Sequence, residues 1–365
     1  MVRKYNSSGL KLQKGQEITG VSKAQLYYSP TGKRPGKNPS QATIREVDGE
    51  ACIESNQEMI NKVIAIQSDE ETDYGYHKMC AALMMIGYTI NHKKLYRLMK
   101  SSNLLKEKHK KKTKEYAKYR IVTPEKPLTL MEMDIKSVWT AELRRNAYTL
   151  TIIDTFTRVV LYRTTGYTMK ATQVKAAWEY VIINYLQPAD MKAQDIHIEI
   201  RNDNGPQFVA KIIQELFKVN GLNQVFTHPY TPQENGHIES FHSILSLALK
   251  GKAFWNLQDL EGFLEPFYEK YNKIRLHSSI ANLPPVCFWN LWEMGHIKRT
   301  VLQNKKVKFK LLIPYQKLSG IENLREVPCL SSNDLDEHLN FHFEASGPEA
   351  LLQPSVHRSP SVVPC

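Results

Sequence analysis

The sequence lacks any run of about 18 apolar residues, the length that a helix needs to cross a membrane. No apolar stretch follows the charged first ten residues, so no secretory signal is predicted, and we expect a cytoplasmic protein without a membrane partner. The five cysteines are odd in number, far apart and without a C-x-x-C pair. A disulfide framework and a structural zinc site are therefore not expected.

Acidic residues are outnumbered: the 365 residues contain 49 Lys and Arg against 37 Asp and Glu, a formal net charge of +12. The excess is concentrated, because residues 93–120 hold twelve Lys and Arg and only two acids. From residue 326 to the end the balance reverses, with six acids against one arginine. Such a basic block predicts a polyanionic partner, nucleic acid above all. The sequence offers no explanation for the acidic tail.

The first part of the chain shows a helical pattern. Residues 1–40 are predicted to hold a helix-turn-helix fragment, with a turn at Gly20 and Ser22 as the N-cap of the next helix, followed by a Pro/Gly/Lys-rich linker. Residues 41–104 are predicted to form three helices, over Glu58–Gln67, from Gly75 to Gly87 and over Asn91–Lys100. We interpret the whole as a small all-α DNA-binding region of the helix-turn-helix type.

The third of these helices has basic residues on one face, because Lys93, Arg97 and Lys100 follow helical spacing. A solvated helix face is the alternative, but the adjoining run KEKHKKKTKEY in the basic linker 105–126 favours contacts with phosphates. The candidate DNA-contact residues are Lys93, Lys94, Arg97, Lys100, Lys110, Lys111 and Lys112.

From residue 127 the pattern changes to β-branched and aromatic runs separated by helical stretches. The predicted order is three strands, a helix, a strand, a helix, a strand and a long helix. This order indicates an α/β domain with a mixed five-stranded sheet and flanking helices, which we place at 127–295 together with a helical extension. Residues 296–365 are predicted to be partly disordered, although KVKFKLLIP could form a short strand.

Three acids stand where this order of elements brings them together. Asp134 lies inside the first strand (MEMDIKSV), where an unpaired charge is expensive. Asp203 directly follows the fourth strand and precedes Asn-Gly-Pro, so it lies at a carboxyl end, where open α/β sheets bind ligands. Glu239 stands near the start of the last helix, beside its apolar stripe. We therefore predict that the three form one site.

Carboxylates are the ligands that hard cations prefer, and three of them suit two divalent ions, Mg²⁺ with Mn²⁺ as the alternative. Two such ions can activate the attacking oxygen and stabilise the leaving oxygen of a phosphodiester. Asp134 is predicted to be shared between the ions, with Asp203 and Glu239 each completing one. Without metal, three clustered carboxylates would raise one another's pKa values.

These residues resemble a known family. The 35 residues between Asp203 and Glu239 are similar to the D-D-35-E pattern of retroviral integrases and bacterial transposases, and the closest likeness is the second reading-frame product of IS3-family insertion sequences. The strings that carry the resemblance, over about residues 15–300, are DYGYHKMCAALMMIGYTINHKKLYRLMKSSNL, MEMDIK, IIDTFTR, RNDNGPQF, HPYTPQENGHIESFHSILSLAL and YNKIRLHSS followed by LPP.

The resemblance implies a ribonuclease-H-like core, DNA cleavage and strand transfer at element ends, and a bacterial, nucleoid-associated location. It also implies a homo-oligomer on DNA, and a first-reading-frame product as partner or fusion. The His/Cys zinc domain of retroviral integrases is absent from the sequence. Two alternatives stay open: a nuclease that cuts without joining, and an inactive element-derived DNA-binding protein. The intact set of three acids argues against the second.

Several other residues have a structural interpretation. Asp154 is predicted to cap a turn between two strands, Asn204, Asn235 and His242 are candidates for supporting the site, and His237 is interpreted in the same way as His242. The neighbouring Tyr271 and Asn272 could contact DNA or attach the last helix to the core. Trp139 and Trp178 are predicted to be core residues.

Overall fold

The computed structural model describes residues 6–9, 11–28, 39–47, 49–69, 72, 74–106, 124–191, 194, 196–228, 232–302 and 306–320. The chain divides into two compact units, Met1–Gln41 and Ala42–Cys365. Among the described residues, no helix is long and apolar enough to cross a membrane.

Two short helices lie within residues 11–28, in the described part of the first unit. Helix α1 (Leu12–Thr19) ends at Gly20, whose φ of 66° is the left-handed conformation that closes helices at low cost for glycine. Helix α2 (Lys23–Leu26) begins after Ser22, whose side chain accepts a hydrogen bond from the backbone N–H of Gln25. The turn and the cap lie where the sequence predicted them. Most of the predicted linker, residues 29–38, lies outside the described residues.

The second unit begins with a mixed α/β region and not with an all-α one. Strands β1 (Ala42–Val47) and β2 (Glu50–Ser55) form a hairpin, and the short β3 (Tyr88–Thr89) adds to it in the order β2-β1-β3. The prediction of an all-α region was therefore wrong, because two strands precede the helices. The two long strands are mostly exposed, and their apolar residues do not alternate regularly with polar ones, so the pattern that marks a half-buried strand is missing.

The three predicted helices of this region are confirmed as α3 (Asn56–Gln67), α4 (Tyr76–Met85) and α5 (His92–Ser101). Ser55 caps α3 and Asn91 caps α5, each by accepting a hydrogen bond from a backbone N–H three residues later. Their shared core is apolar and completely buried, with Met59, Val63, Met79, Leu83, Leu95 and Met99 at its centre.

The largest part of the unit is a five-stranded mixed sheet, as predicted. Its strands are β4 (Leu130–Thr140), β5 (Arg145–Asp154), β6 (Val160–Gly166), β7 (Ile198–Asn202) and β8 (Leu222–Phe226). The strand order is β6-β5-β4-β7-β8, with β4, β5 and β6 antiparallel and β7 and β8 parallel to β4. This is the predicted ribonuclease-H-like arrangement.

Helices cover both faces of the sheet. The helices are α6 (Ala171–Val181), continued by a π-helical turn over Ile182–Leu186, α7 (Pro206–Val209), α8 (Lys211–Asn220), α9 (Gly236–Leu249) and α10 (Leu257–Lys273). On one face Trp178 of α6 packs edge-on against Phe217 of α8. On the other, Phe241 of α9 contacts Tyr268 of α10 over buried residues of β5 and β6. The sheet therefore forms the middle of three layers.

The two tryptophans predicted to be core residues differ. Trp178 is completely buried, as predicted, but Trp139 is 58% exposed, and its assignment to the core was wrong. Strand β4 pairs with β7 only over Leu130–Glu132, so β5 is the only strand that pairs with its far end among the described residues, apart from an isolated bridge between Thr140 and Phe254. Trp139 lies at that far end, where fewer elements cover the strand.

The chain after α10 packs back onto the rest of the unit through helix α11 (Pro285–Glu293) and a hairpin of β9 (Ile297–Val301) and β10 (Val307–Leu311), followed by a 3₁₀ turn over Tyr315–Gly320. Part of the segment 296–365, predicted to be partly disordered, is thus regular structure, and 321–365 lies outside the described residues. The backbone N–H of Leu276 donates to the Tyr74 hydroxyl at 2.9 Å, and Lys270 pairs with Asp69, so the early helical region contacts α10 and the loop after it.

Candidate active site

Asp134 lies on β4 two residues beyond the point where that strand stops pairing with β7. Its side chain is 30% exposed, and one carboxylate oxygen is 3.2 Å from Nδ1 of His242 on α9. The other accepts a hydrogen bond from the backbone N–H of Ile135 at 2.7 Å. The carboxylate therefore faces the gap that opens between β4 and β7, with an imidazole beside it.

Asp203 is the first residue after β7 and is exposed. Its Oδ1 accepts a hydrogen bond from the backbone N–H of Gly205 at 3.0 Å, which shapes the turn into α7. Asp203 and Asp134 line the same cavity of about 410 Å³, together with Tyr148 and Gln207 among others. Two acids separated by 69 positions in the sequence thus share one space at the carboxyl end of β7.

Glu239 lies in the first turn of α9 and is exposed. Its pKa is raised, first by partial burial and then by the negative charge of Asp134, while His242 acts in the opposite direction. Repulsion by Asp134 indicates that the two carboxylates are close enough to interact. Asp134 therefore lines one cavity together with Asp203, and its negative charge acts on Glu239.

Within the part of the chain that the structure describes, no three acid, histidine or cysteine side chains are close enough together to hold a metal ion as they stand. The chemistry of the donors nevertheless fits a hard divalent cation, because Asp134, Asp203 and Glu239 offer carboxylate oxygens only. A cation beside Asp134 and Glu239 would also offset the repulsion that raises the pKa of Glu239.

Sequence reasoning missed Glu132, which lies two residues before Asp134 on β4. Glu132 is 2% exposed, and its Oε2 accepts hydrogen bonds from the backbone N–H groups of His237 and Ile238, at 2.9 and 2.8 Å. These N–H groups belong to the first turn of α9, which has no intrahelical acceptor for them. Glu132 thus ties strand β4 to the turn that carries Glu239. A charged residue among apolar strand residues was the sequence signal that could have identified Glu132, but we used that signal for Asp134 alone.

Two arginines interact with Glu132 through their charge: Arg158, in the loop after β5, and Arg201, on β7. Burial raises the pKa of Glu132 to about 7, while its two backbone hydrogen bonds and the charges of the two arginines act in the opposite direction. Arg201 also donates to Glu199 at 2.6 Å and to the backbone oxygen of Glu234 at 3.0 Å, just before α9. The start of α9 is therefore fixed from two strands, β4 and β7.

The residues predicted to support the site lie around it in different ways. His242 contacts Asp134 directly. Asn204 donates to the backbone oxygen of Thr227 at 3.3 Å, which links the loops after β7 and β8. Asn235 is 8% exposed at the start of α9, and its side-chain oxygen has no hydrogen-bond partner among the described residues. Only His242 is thus in contact with a predicted catalytic acid.

Two open questions from the sequence are answered by contacts. Asp154 is completely buried and accepts hydrogen bonds from the backbone and hydroxyl groups of Thr157 and from the backbone of Leu128, which confirms its role in the turn. Asn272 is 1% exposed and bonds to both the N–H and the oxygen of Val160, at 2.9 Å each. Asn272 therefore attaches α10 to β6.

The candidate DNA-contact residues fall into three groups. Lys93, Arg97 and Lys100 are exposed on α5. Lys94 is half-buried, and its Nζ donates to the backbone oxygen of Ala42 and the hydroxyl of Thr43, so it joins α5 to β1. Lys110, Lys111 and Lys112 lie outside the described residues. The basic face of α5 thus presents three of its four predicted cations to solvent.

Three family models match this chain. Two describe an integrase core domain, over residues 124–232 and 220–285, and the third describes an HTH-like domain over residues 54–112. The core matches contain Asp134, Asp203 and Glu239, and the third contains helices α4 and α5.

Relatives come from bacterial insertion elements. An insertion element IS476 protein of Xanthomonas euvesicatoria is 26% identical over 217 residues, which cover 59% of this chain and 60% of that protein. The putative transposase InsK of insertion sequence IS150 from Escherichia coli is 24% identical over 253 residues, 65% of this chain and 84% of that protein. The chain thus matches less than two thirds of the length of the first relative.

Solved structures with similarity include the catalytic core domain of BIV integrase, 22% identical, covering 46% of this chain and 97% of that chain with a TM-score of 0.34. The catalytic domain of Mos1 transposase, solved with raltegravir and Mg, is 12% identical, covering 39% of this chain and 71% of that chain with a TM-score of 0.34.

Proposed function

We propose that this chain, which belongs to the insertion-element transposases with an integrase core, cleaves DNA at the ends of its element and joins the freed 3′ ends to target DNA. The observation that carries the proposal is the placement of the three acids. Asp134 and Asp203 line one cavity at the carboxyl end of β7, and Glu239 lies close enough to Asp134 for its pKa to be raised.

In this proposal Asp134, Asp203 and Glu239 hold two divalent cations, Mg²⁺ or Mn²⁺, which supply activation of the attacking oxygen and stabilisation of the leaving oxygen. Asp134 would be the ligand shared by the two ions, because it lines one cavity with Asp203 and its charge acts on Glu239. His242 orients the Asp134 carboxylate through the contact of 3.2 Å. Glu132 fixes the first turn of α9, and with it the position of Glu239.

The partner is DNA, both the element ends and the target. The HTH-like match and the exposed cations of α5 support this partner, and phosphate contacts by Lys93, Arg97 and Lys100 would position the duplex without reading its sequence. Assignment to the IS3 family, a homo-oligomer on DNA, and a companion first-reading-frame product are part of the same proposal.

The test is a joining assay with labelled element ends, plasmid target, and Mg²⁺ or Mn²⁺. The natural chain is expected to produce joined molecules only with metal. Glu239→Gln is expected to lower joining more than about 100-fold while DNA affinity is kept. Glu215→Gln, an exposed glutamate of helix α8 that pairs with Lys211, is the matched control and should keep full activity.

The outcomes separate the alternatives. Cleavage without joined product would indicate a nuclease. Neither cleavage nor joining with either metal, together with intact DNA binding, would indicate an inactive element-derived DNA-binding protein. Retained joining by Glu239→Gln would contradict the assignment of the site.

A further inference from the structure

The segment of sequence that forms the hairpin β9–β10 contains basic residues and no acidic ones. Between Gly295 and Gly320 the sequence holds seven lysines and arginines and no aspartate or glutamate. This segment is separate from the basic run at residues 93–120, and neither the sequence prediction nor the proposed site uses it. Lys298 of β9 and Lys308 and Lys310 of β10 are called the hairpin lysines below.

Strand pairing places the hairpin lysines on one face. Lys310 lies directly opposite Lys298, and Lys308 lies opposite Thr300, which is on the same side of the ribbon. Side chains alternate between faces along a strand, so Lys308 and Lys310 point the same way. All three hairpin lysines are exposed. Like charges directly opposite each other on a β-ribbon are unfavourable unless an anion lies between or above them.

Packing on the reverse face fixes the direction in which the hairpin lysines point. Phe309 of β10 contacts the rings of Phe156, Phe288 and Trp292 at centroid distances of 5.1, 4.9 and 6.5 Å. Ile297 of β9 is buried in the same cluster. Because Phe309 and Ile297 on this face are held in an apolar cluster, the hairpin cannot turn its lysines inward. The opposite face is left for a ligand.

No carboxylate within the described part of the chain lies at ion-pair distance from a hairpin lysine. Other lysines on helix surfaces differ: exposed Lys211 and Lys273 and half-buried Lys175 each pair with a glutamate one helical turn away. Along β10, Lys308 and Lys310 are two residues apart, or ~6.8 Å. One strand of a duplex carries a phosphate every ~3.4 Å of helix axis, so the two lysines span two phosphate steps. The face thus fits a polyanion with a regular charge repeat.

We infer that the hairpin lysines form a second DNA-backbone contact surface, which binds the phosphates of duplex DNA without sequence preference. The inference rests on the proposed function for its partner, since it names DNA as the molecule bound. It is independent of the acids, of metal and of the chemical step. Its position on the hairpin also separates it from the basic face of α5.

The test measures DNA binding by the full chain in EDTA, so that neither cleavage nor joining takes part. Fluorescence anisotropy with a duplex of random sequence gives the affinity across a series of KCl concentrations. The hairpin variant is a triple substitution that combines Lys298→Gln, Lys308→Gln and Lys310→Gln. The control has Lys175→Gln with Lys211→Gln and Lys273→Gln, which removes the same net charge from paired lysines.

The slope of log affinity against log salt is expected to become shallower by about 2.7 in the hairpin variant, since each lost phosphate contact contributes about 0.9. The control should keep a slope close to that of the natural chain. An arginine triple at the same three positions should restore the natural slope, because it keeps the charge, and this result excludes misfolding as the cause.

An unchanged slope in the hairpin variant, or an equal change in both glutamine triples, overturns the inference. An increased affinity overturns it too, because the lysines would then be bound by something other than DNA. If the natural chain does not join DNA but the hairpin variant still shows the shallower salt slope, the proposed function is contradicted and the inference stands. The failure of the inference and the failure of the proposed function are therefore distinguishable.

Discussion

Replacing Glu132 by alanine removes the side chain that joins β4 to the first turn of α9. The carboxylate is 2% exposed and accepts two backbone hydrogen bonds, at 2.8 and 2.9 Å. Alanine leaves both N–H groups of the helix without an acceptor, and removes a buried negative charge that interacts with Arg158 and Arg201. The turn that carries Glu239 would then lose its main fixed point on the sheet.

The size of the effect follows from the number of groups left unsatisfied. Each buried donor that loses its partner costs about 1–3 kcal/mol. Two such donors predict that Glu132→Ala lowers the free energy of unfolding by about 2–6 kcal/mol. Glu132→Gln keeps an oxygen that can accept, so its loss should be smaller, about 1–2 kcal/mol. The glutamine variant should also recover part of the activity that alanine loses.

The assay combines urea unfolding with the kcat for strand joining, measured well below the unfolding midpoint. Asp154→Ala is the matched control, because Asp154 is equally buried and accepts comparable hydrogen bonds in a turn away from α9. Both variants should lose stability, but only Glu132→Ala should lower kcat at saturating DNA. Equal kcat values in the two variants, or a stability loss below about 1 kcal/mol for Glu132→Ala, would refute the reasoning.

Three further predictions concern other buried groups. Burial, with Lys78 and Arg275 nearby, lowers the pKa of His277 to about 3. A histidine with a lowered pKa stabilises the folded protein above the pKa of the unfolded state, near 6.5, and this stabilisation is lost as the pH falls. The free energy of unfolding of the natural chain should therefore fall by about 2 kcal/mol between pH 7 and 5. His277→Gln should show a flatter pH profile in urea melts. Asn272→Ala should lower the free energy of unfolding by about 2–4 kcal/mol, since two buried backbone groups of β6 lose their partner; a loss below 1 kcal/mol in the same melts would count against this. Alkylation followed by peptide mass analysis should label exposed Cys52 in the native protein and Cys80 only after unfolding, because burial raises the pKa of the Cys80 thiol to about 11; rapid native labelling of Cys80 would contradict the packing.

The sequence predicted the five-stranded sheet because its signals were strong and local. Buried strands such as β5 contain continuous β-branched and aromatic residues, and the helix after β7 ends at Gly221, whose φ of 69° matches the predicted cap. The placement of Asp134 within a strand and of Asp203 directly after one was also predictable, since each depends on the pattern of a few neighbours. The catalytic roles of the three acids stay predictions.

Features that depend on distant partners were not predictable in the same way. The strands of the β1–β2 hairpin are mostly exposed and have no regular apolar alternation, so periodicity did not indicate them, although the Asp48–Gly49 dipeptide is a common hairpin turn. Lys94 was grouped with the cations of α5 because helical spacing does not reveal that β1 offers it a backbone oxygen. Glu132 finds its partners 105 and 106 positions later in the chain.

The most direct test of the central claim is Mn²⁺ binding by the full chain, followed by the loss of the free Mn²⁺ paramagnetic resonance signal. We expect the natural chain to bind Mn²⁺, with an affinity that falls at least about tenfold in Asp134→Asn, because Asp134 is the acid proposed to be shared by both ions, and that is unchanged in Glu215→Gln. If Asp134→Asn binds Mn²⁺ as well as the natural chain does, the acids do not form a metal site and the proposed chemistry fails.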